Sequence, residues 1–395
     1  MTQDLIEKLE SSRDEIAETL ANLIRIKALS PENGGDGELD KAKYVEQLLE
    51  GFEIERYDAV DERAREGVRP NLVTKIDGEE EKTIWIISHL DVVPEGDLSL
   101  WDTDPFEPVV KNGRIYGRGS EDNGQAVVAS LFAARAIKES GLKPRYSLGV
   151  AFVADEEVGS KYGIQHLLKQ DIFDKEDLIV VPDAGSPQGD QIEIAEKSIL
   201  WLKFSVQGKQ GHASRPEGKN AARKAMEFLL ALDEGLHKEF DSSNSLFRIP
   251  TSTFEPTKRE KNVDNVNTIP GLDVSYMDCR IIPDYDPDDI LKYVNGLKDG
   301  YGPIDMEVLQ KESSPPTSED SEVVAKLTEA VEKVRGVKPV KVGFGGNTCG
   351  AFFRKAGFQT AVWSTIDGTA HQPNEYAVID NIVKDAQVFA ILPFM

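Results

Sequence analysis

The residues best equipped for chemistry are histidines and acids that recur just after apolar runs. His89 stands in Ser88-His89-Leu90-Asp91, directly after Thr83–Ser88 (TIWIIS). Alternate side chains of an extended segment share a side, so His89 and Asp91 face the same way. A carboxylate in that place can take the second imidazole N–H and aim the ring at a metal. Asp122 lies in YGRGSEDNG, at the head of the helix expected over Ala126–Glu139. Asp155, Glu156 and Glu157 follow the run Tyr146–Ala154. Three adjacent acids repel one another and need a cation or a role for a raised pKa. Asp183 follows Asp177–Pro182, and His371 lies beyond the strand expected at Ala361–Ser364. Each has an ordinary reading alone: a satisfied core histidine, a helix N-cap, a solvated acidic turn. Together, strand ends supply His, Asp, Glu, Asp and His, a donor set for two divalent metals of the zinc type. Three carboxylates against two dications leave one positive charge, which a bound hydroxide would neutralise. His166 and His237 sit in helical patterns among ordinary residues and read as surface or packing histidines.

Strands must carry these groups. Nearly continuous apolar runs suit strands covered on both faces, and ligands of open α/β sheets bind beyond the carboxyl ends of such strands. Helical spacing runs from Leu5 to Ile24, with a second helix near Leu39–Leu49. Strands alternating with helices predict an α/β fold with a doubly wound, mostly parallel sheet. Near residue 199 the texture changes. Ile199–Gln207 alternates like a half-exposed strand; helices at Asn220–Leu236 and Pro287–Leu297 and a strand at Leu272–Ile281 complete a small α+β unit. The expectation is a catalytic domain of residues 1–198 and 312–395, with a lid inserted at 199–311. The 395 residues carry a net charge of −24, which argues against nucleic acid or an anionic membrane as main partner. No apolar run reaches the length of a membrane span. The charged N-terminus does not read as a signal peptide. Cys279 and Cys349 form no C-x-x-C pair, so a disulfide framework is excluded and the cytoplasm is the expected location.

HLDVVPEGD, YGRGSEDNG, ADEEVGS, GKQGHASRPEGKNA, NTIPG with a following Asp-Cys-Arg, and TAHQPNEY stand in this order between about residues 84 and 380. In this the chain resembles the M20 metallopeptidases, which include acetylornithine deacetylase, succinyl-diaminopimelate desuccinylase, carboxypeptidases and dipeptidases. The resemblance implies that His89 and Asp183 bind one metal, Glu157 and His371 the other, and that Asp122 bridges both. It makes Asp91 the partner of His89 and Glu156 the general base. It places His212 and Asn267 of the lid at the substrate carbonyl and Arg280 at a substrate carboxylate. It implies zinc, with cobalt or manganese as substitutes, and a homodimer formed through the lid. The implied activity is hydrolysis of a peptide or N-acyl amide bond next to a free carboxylate. A dipeptidase on the same site is the near alternative, and a catalytically silent binding protein the distant one. Two departures bear on the substrate: Asp122-Asn123-Gly124-Gln125 lacks the lysine of D-x-K-G, and Gly345-Gly346-Asn347-Thr348-Cys349-Gly350 lacks a following arginine found in some members. The phosphate-loop pattern G-x-x-x-x-G-K-[ST] is absent, which speaks against a nucleotide-dependent enzyme.

Overall fold

The computed structural model describes residues 2–216 and 219–395, so Glu217 and Gly218 of the GKQGHASRPEGKNA stretch lie outside it. The chain forms two compact units. One comprises Met1–Ile194, Thr317–Val342 and Thr348–Met395; the other comprises Ala195–Pro316 and Gly343–Asn347. Gly343–Asn347 thus groups with the inserted segment, although sequence pattern alone places it with the flanking α/β part.

The first unit is built on an eight-stranded mixed sheet. Thr83–His89 and Ser147–Val153 are buried at every position, as their unbroken apolar runs require. They run parallel to one another, and Thr83–His89 also runs parallel to Leu178–Ser186, which in turn is parallel to Gln359–Thr365. Antiparallel strands flank this parallel centre: Leu72–Ile76 beside Ser147–Val153, and Gln191–Glu196 beside Gln359–Thr365. Helices cover both faces. Gln125–Ser140 buries most of its circumference, which explains an apolar sequence with little helical stripe. The opposite face packs Trp85, Ile87, Val153 and Val181 against Ile164, Leu167, Phe353 and Phe358. Trp85 crosses the sheet over its register partner Gly149, where a Cβ would come within 2.2 Å of the indole ring. Its Nε1 donates to Asp177 at 2.9 Å.

The helical run expected from Leu5 to Ile24 is two helices, Thr2–Ser11 and Arg13–Arg25. The break has a local cause. The hydroxyls of Ser11 and Ser12 both donate back to the Lys8 carbonyl, at 2.7 and 3.1 Å, offering that turn an alternative to helical continuation.

In the second unit four antiparallel strands lie in the order Thr253–Arg259, Leu272–Ile281, Ser198–Gln207, Ile304–Glu312. The period-2 pattern of Ser198–Gln207 buries Leu200, Leu202, Phe204 and Val206 and leaves Trp201 outside. The buried face packs on helices Ala221–Glu239 and Pro287–Lys298 through Phe228, Leu232, Ile290 and Val294. Among the described residues no helix is long and apolar enough to cross a membrane.

Candidate metal centre

His89 is the last residue of its strand, and Asp183 stands on the neighbouring strand Leu178–Ser186. The parallel register brings these two ends together. His89 Nε2 lies 2.9 Å from Asp122 Oδ1 and 3.4 Å from Asp183 Oδ1. The other oxygen of Asp122 lies 3.1 Å from His371 Nε2, which is also 3.1 Å from Glu157 Oε2. Asp122 therefore presents one carboxylate oxygen to each imidazole. Two groups of three donors result, His89–Asp122–Asp183 and Asp122–Glu157–His371, each with its donor atoms within 4.8 Å of one another.

The surroundings explain how these side chains are held. Asn123 donates to the Pro182 carbonyl at 2.9 Å and to Asp183 Oδ1 at 2.8 Å, while its own oxygen accepts the His89 amide at 3.3 Å. Asp91 is fully buried. His89 Nδ1 faces the Asp91 backbone carbonyl at 3.1 Å and its carboxylate at 3.5 Å. The Asp91 carboxylate instead accepts the backbone N–H groups of Glu156 and Glu157, each at 3.0 Å. Asp91 thus orients the imidazole chiefly through its main chain and fixes the acidic turn with its side chain. That turn starts at Asp155, whose φ of +65° reverses the strand. Asp155 accepts from the Tyr162 amide at 2.9 Å and pairs with buried Arg69 at 3.2 Å.

The electrostatics are those of crowded acids. Burial and the nearby charge of Asp122 push Glu157 up to about 7. Burial and Asp183 raise Glu156 well above the usual carboxylate range. Burial works against charge on His89, but Asp183 and the contact with Asp122 outweigh it and raise the imidazole. Contacts with Asp122 and Glu157 raise His371 to about 10. Asp122 is lowered despite its burial, because both imidazoles meet it. Glu157 Oε1 is buried and has no hydrogen-bond partner among the described residues. An orphaned carboxylate oxygen amid mutually repelling acids and two inward imidazoles is what cation binding would satisfy, so this donor set fits divalent metal.

A model of a peptidase family, "Peptidase family M20/M25/M40", matches residues 85–393, the span that holds every one of these groups. The chain belongs to this family. It is accordingly a metal-dependent hydrolase of C–N bonds. The chain is 43% identical to an uncharacterised metallohydrolase of Methanocaldococcus jannaschii, over 98% of both chains. It is 27% identical to a succinyl-diaminopimelate desuccinylase of a Sulfurovum species, over 95% of this chain and 97% of that one. Its fold is similar to that of an M20 family metallo-carboxypeptidase from Sulfolobus solfataricus (TM-score 0.75, 22% identity, 96% and 98% of the chains covered).

The remaining residues singled out in this family member lie in the second unit. His212 pairs through its short strand with Thr268, and the Ala213 amide donates to the Asn267 carbonyl at 2.8 Å, so His212 and Asn267 are neighbours. The Ser214 amide and hydroxyl approach His212 Nδ1 at 3.1 and 2.8 Å. Arg280 is engaged by Asp278, two residues back on the same strand face, at 2.8 and 3.1 Å. A free guanidinium fork, expected from sequence, is thus already closed on a carboxylate. Sequence reasoning passed over Asn123, Glu121 and Glu375, although all three stand inside the quoted motifs. Nothing in their type separates a carboxylate that receives backbone amides from one that meets a metal.

Proposed function

We propose that the protein is a di-metal hydrolase, with zinc as first choice and cobalt or manganese as substitutes, that cleaves a peptide or N-acyl amide bond beside a free carboxylate. The supporting observation is the placement of Asp122 between His89 and His371, one oxygen to each ring. In this reading His89 and Asp183 hold one cation, Glu157 and His371 the other, and Asp122 is shared. Bound cations of this kind polarise a scissile carbonyl and lower the pKa of an attacking water toward 7. Glu156 takes that water's proton and hands it to the leaving amine. Its half-buried, acid-lined place and raised pKa suit a group that must both accept and return a proton. Its backbone amide donates to Asp91 Oδ1, which fixes the stem of the side chain. His212 donates to the developing oxyanion, a contact worth about 3 kcal/mol for one good donor, and Asn267 supports the same carbonyl. Arg280 binds the substrate carboxylate in exchange for Asp278. The reading further expects a cytoplasmic homodimer formed through the inserted segment.

The test is metal content of protein purified without chelator, paired with hydrolysis of N-acetyl and N-succinyl amino acids, dipeptides and short peptides. About two metals per chain and chelator-sensitive cleavage of a carboxylate-bearing amide are expected. Failure to take up zinc or cobalt would sink the reading. Selective cleavage of dipeptides with a free amino group would move the assignment to a dipeptidase.

A further inference from the structure

Two acids beside the centre meet no imidazole and still receive an unusual number of donors. Glu121 precedes Asp122, and its carboxylate reaches across to the segment that carries His371. Oε1 accepts the amides of Asp367 and Gly368 at 2.6 and 3.2 Å. Oε2 accepts the Thr369 amide, the Thr369 hydroxyl at 3.0 Å and the Ala370 amide at 2.9 Å. Glu375 stands four residues after His371, is fully buried, and reaches the opposite way. Its Oε1 accepts the amides of Glu121 and Asp122 at 2.9 and 3.0 Å. Its Oε2 accepts the Gly119 amide at 3.0 Å and Arg118 Nη1 at 2.6 Å.

We propose that Glu121 and Glu375 are positioning residues that form a reciprocal clamp, each rooted in one ligand-bearing segment and closed on the backbone of the other, and that this clamp presets the Asp122–Glu157–His371 cation site. The reasoning is geometric. His371 is on an irregular loop at a positive φ of 64° and is half exposed. No regular element sets its distance from Asp122, which stands on a kinked turn. Glu121 supplies that constraint by gathering four amides and a hydroxyl of the approach to His371 at one carboxylate. Glu375 supplies it by closing the turn that ends in Asp122. Only a carboxylate fits either place. Every partner is a donor, and an amide side chain would set its own N–H₂ against one of them. Supports of this kind typically change metal affinity by about 10–100-fold.

The inference rests on the di-metal reading, and cobalt(II) titration of the apoprotein separates the two. Wild type should take up cobalt in two steps, followed by visible absorption. In Glu121→Gln the step assigned to the His371 side should weaken about 10–100-fold while the other step stays within about threefold. In Glu375→Gln both steps should weaken, because Asp122 is shared. Thr369→Val, which removes one clamp contact with little change in volume, should give a smaller loss confined to the same step as Glu121→Gln. Circular dichroism checks that each variant is folded. Unchanged steps in folded Glu121→Gln and Thr369→Val would overturn the clamp and leave the di-metal reading intact. Equal weakening of both steps in Glu121→Gln would also overturn it, as general loosening. A wild-type protein that binds no cobalt would overturn the di-metal reading itself.

Discussion

Asp122 and Glu156 differ by position rather than by type. Both are carboxylates beside His89, yet Asp122 meets two imidazoles while Glu156 meets none. The first is lowered and stays charged; the second is raised and suited to carrying a proton. Glu156→Gln should therefore keep full metal content, because it removes no donor, and lower kcat by about 10²–10⁴-fold, the usual share of general acid–base catalysis. Metal analysis alongside steady-state kinetics checks this; loss of metal would make Glu156 a ligand. His371 permits a second prediction. Its pKa near 10 without metal means that the ring is an imidazolium at neutral pH, paired with Asp122 and Glu157. A raised folded-state pKa contributes to apoprotein stability fully below about pH 6.5, and the contribution fades as pH climbs toward 10. A metal needs the neutral ring. Metal binding near pH 7.5 should then expel protons, and apparent affinity should rise with pH. Calorimetric titration in two buffers of different ionisation enthalpy measures the count, and no proton release would refute the assignment.

At the scale of elements, the parallel strands set the stage by ending together. His89 and Asp183 come from neighbouring strands, and the acidic turn follows a third. Away from those ends the sheet is closely packed. Trp85 lies across Gly149 and is tied to Asp177, which also accepts the Thr83 amide at 2.8 Å. Gly149→Ala should displace the indole and cost about 1–3 kcal/mol, as overpacking of a filled core does. Chemical denaturation checks the value. A substitution that left stability unchanged would mean the tryptophan has room to move. The second unit owes its architecture to a simpler rule: alternation along Ser198–Gln207 puts one face on the helices and leaves Trp201 exposed.

For the whole molecule, a net charge of −24 includes several acids gathered in one place. Without cations, burial first and the neighbouring acids second raise Glu156 and Glu157. Metal should therefore stabilise the fold by mass action, by about 4 kcal/mol when free metal exceeds its Kd a thousandfold. Thermal unfolding with added zinc, against the same protein after chelation, should show a higher Tm with metal. Equal Tm values would mean that the folded state gains nothing from it.

Much of this was legible in the amino-acid order, for identifiable reasons. A strand covered on both faces must be apolar throughout, so Thr83–His89 and Ser147–Val153 announce themselves. Histidine and acids stand out near the ends of such runs, so five candidate donors could be named one by one. The motifs in series pointed to the family to which the chain belongs. Tertiary structure alone decided the pairings. That Asp122 turns one oxygen to each imidazole and that Asp91 spends its carboxylate on the amides of Glu156 and Glu157 both depend on where segments far apart in sequence come to rest. Glu121 and Glu375 make the distinction plainest. Each contacts backbone about 250 residues away, and a backbone amide carries no residue identity for a sequence pattern to reveal.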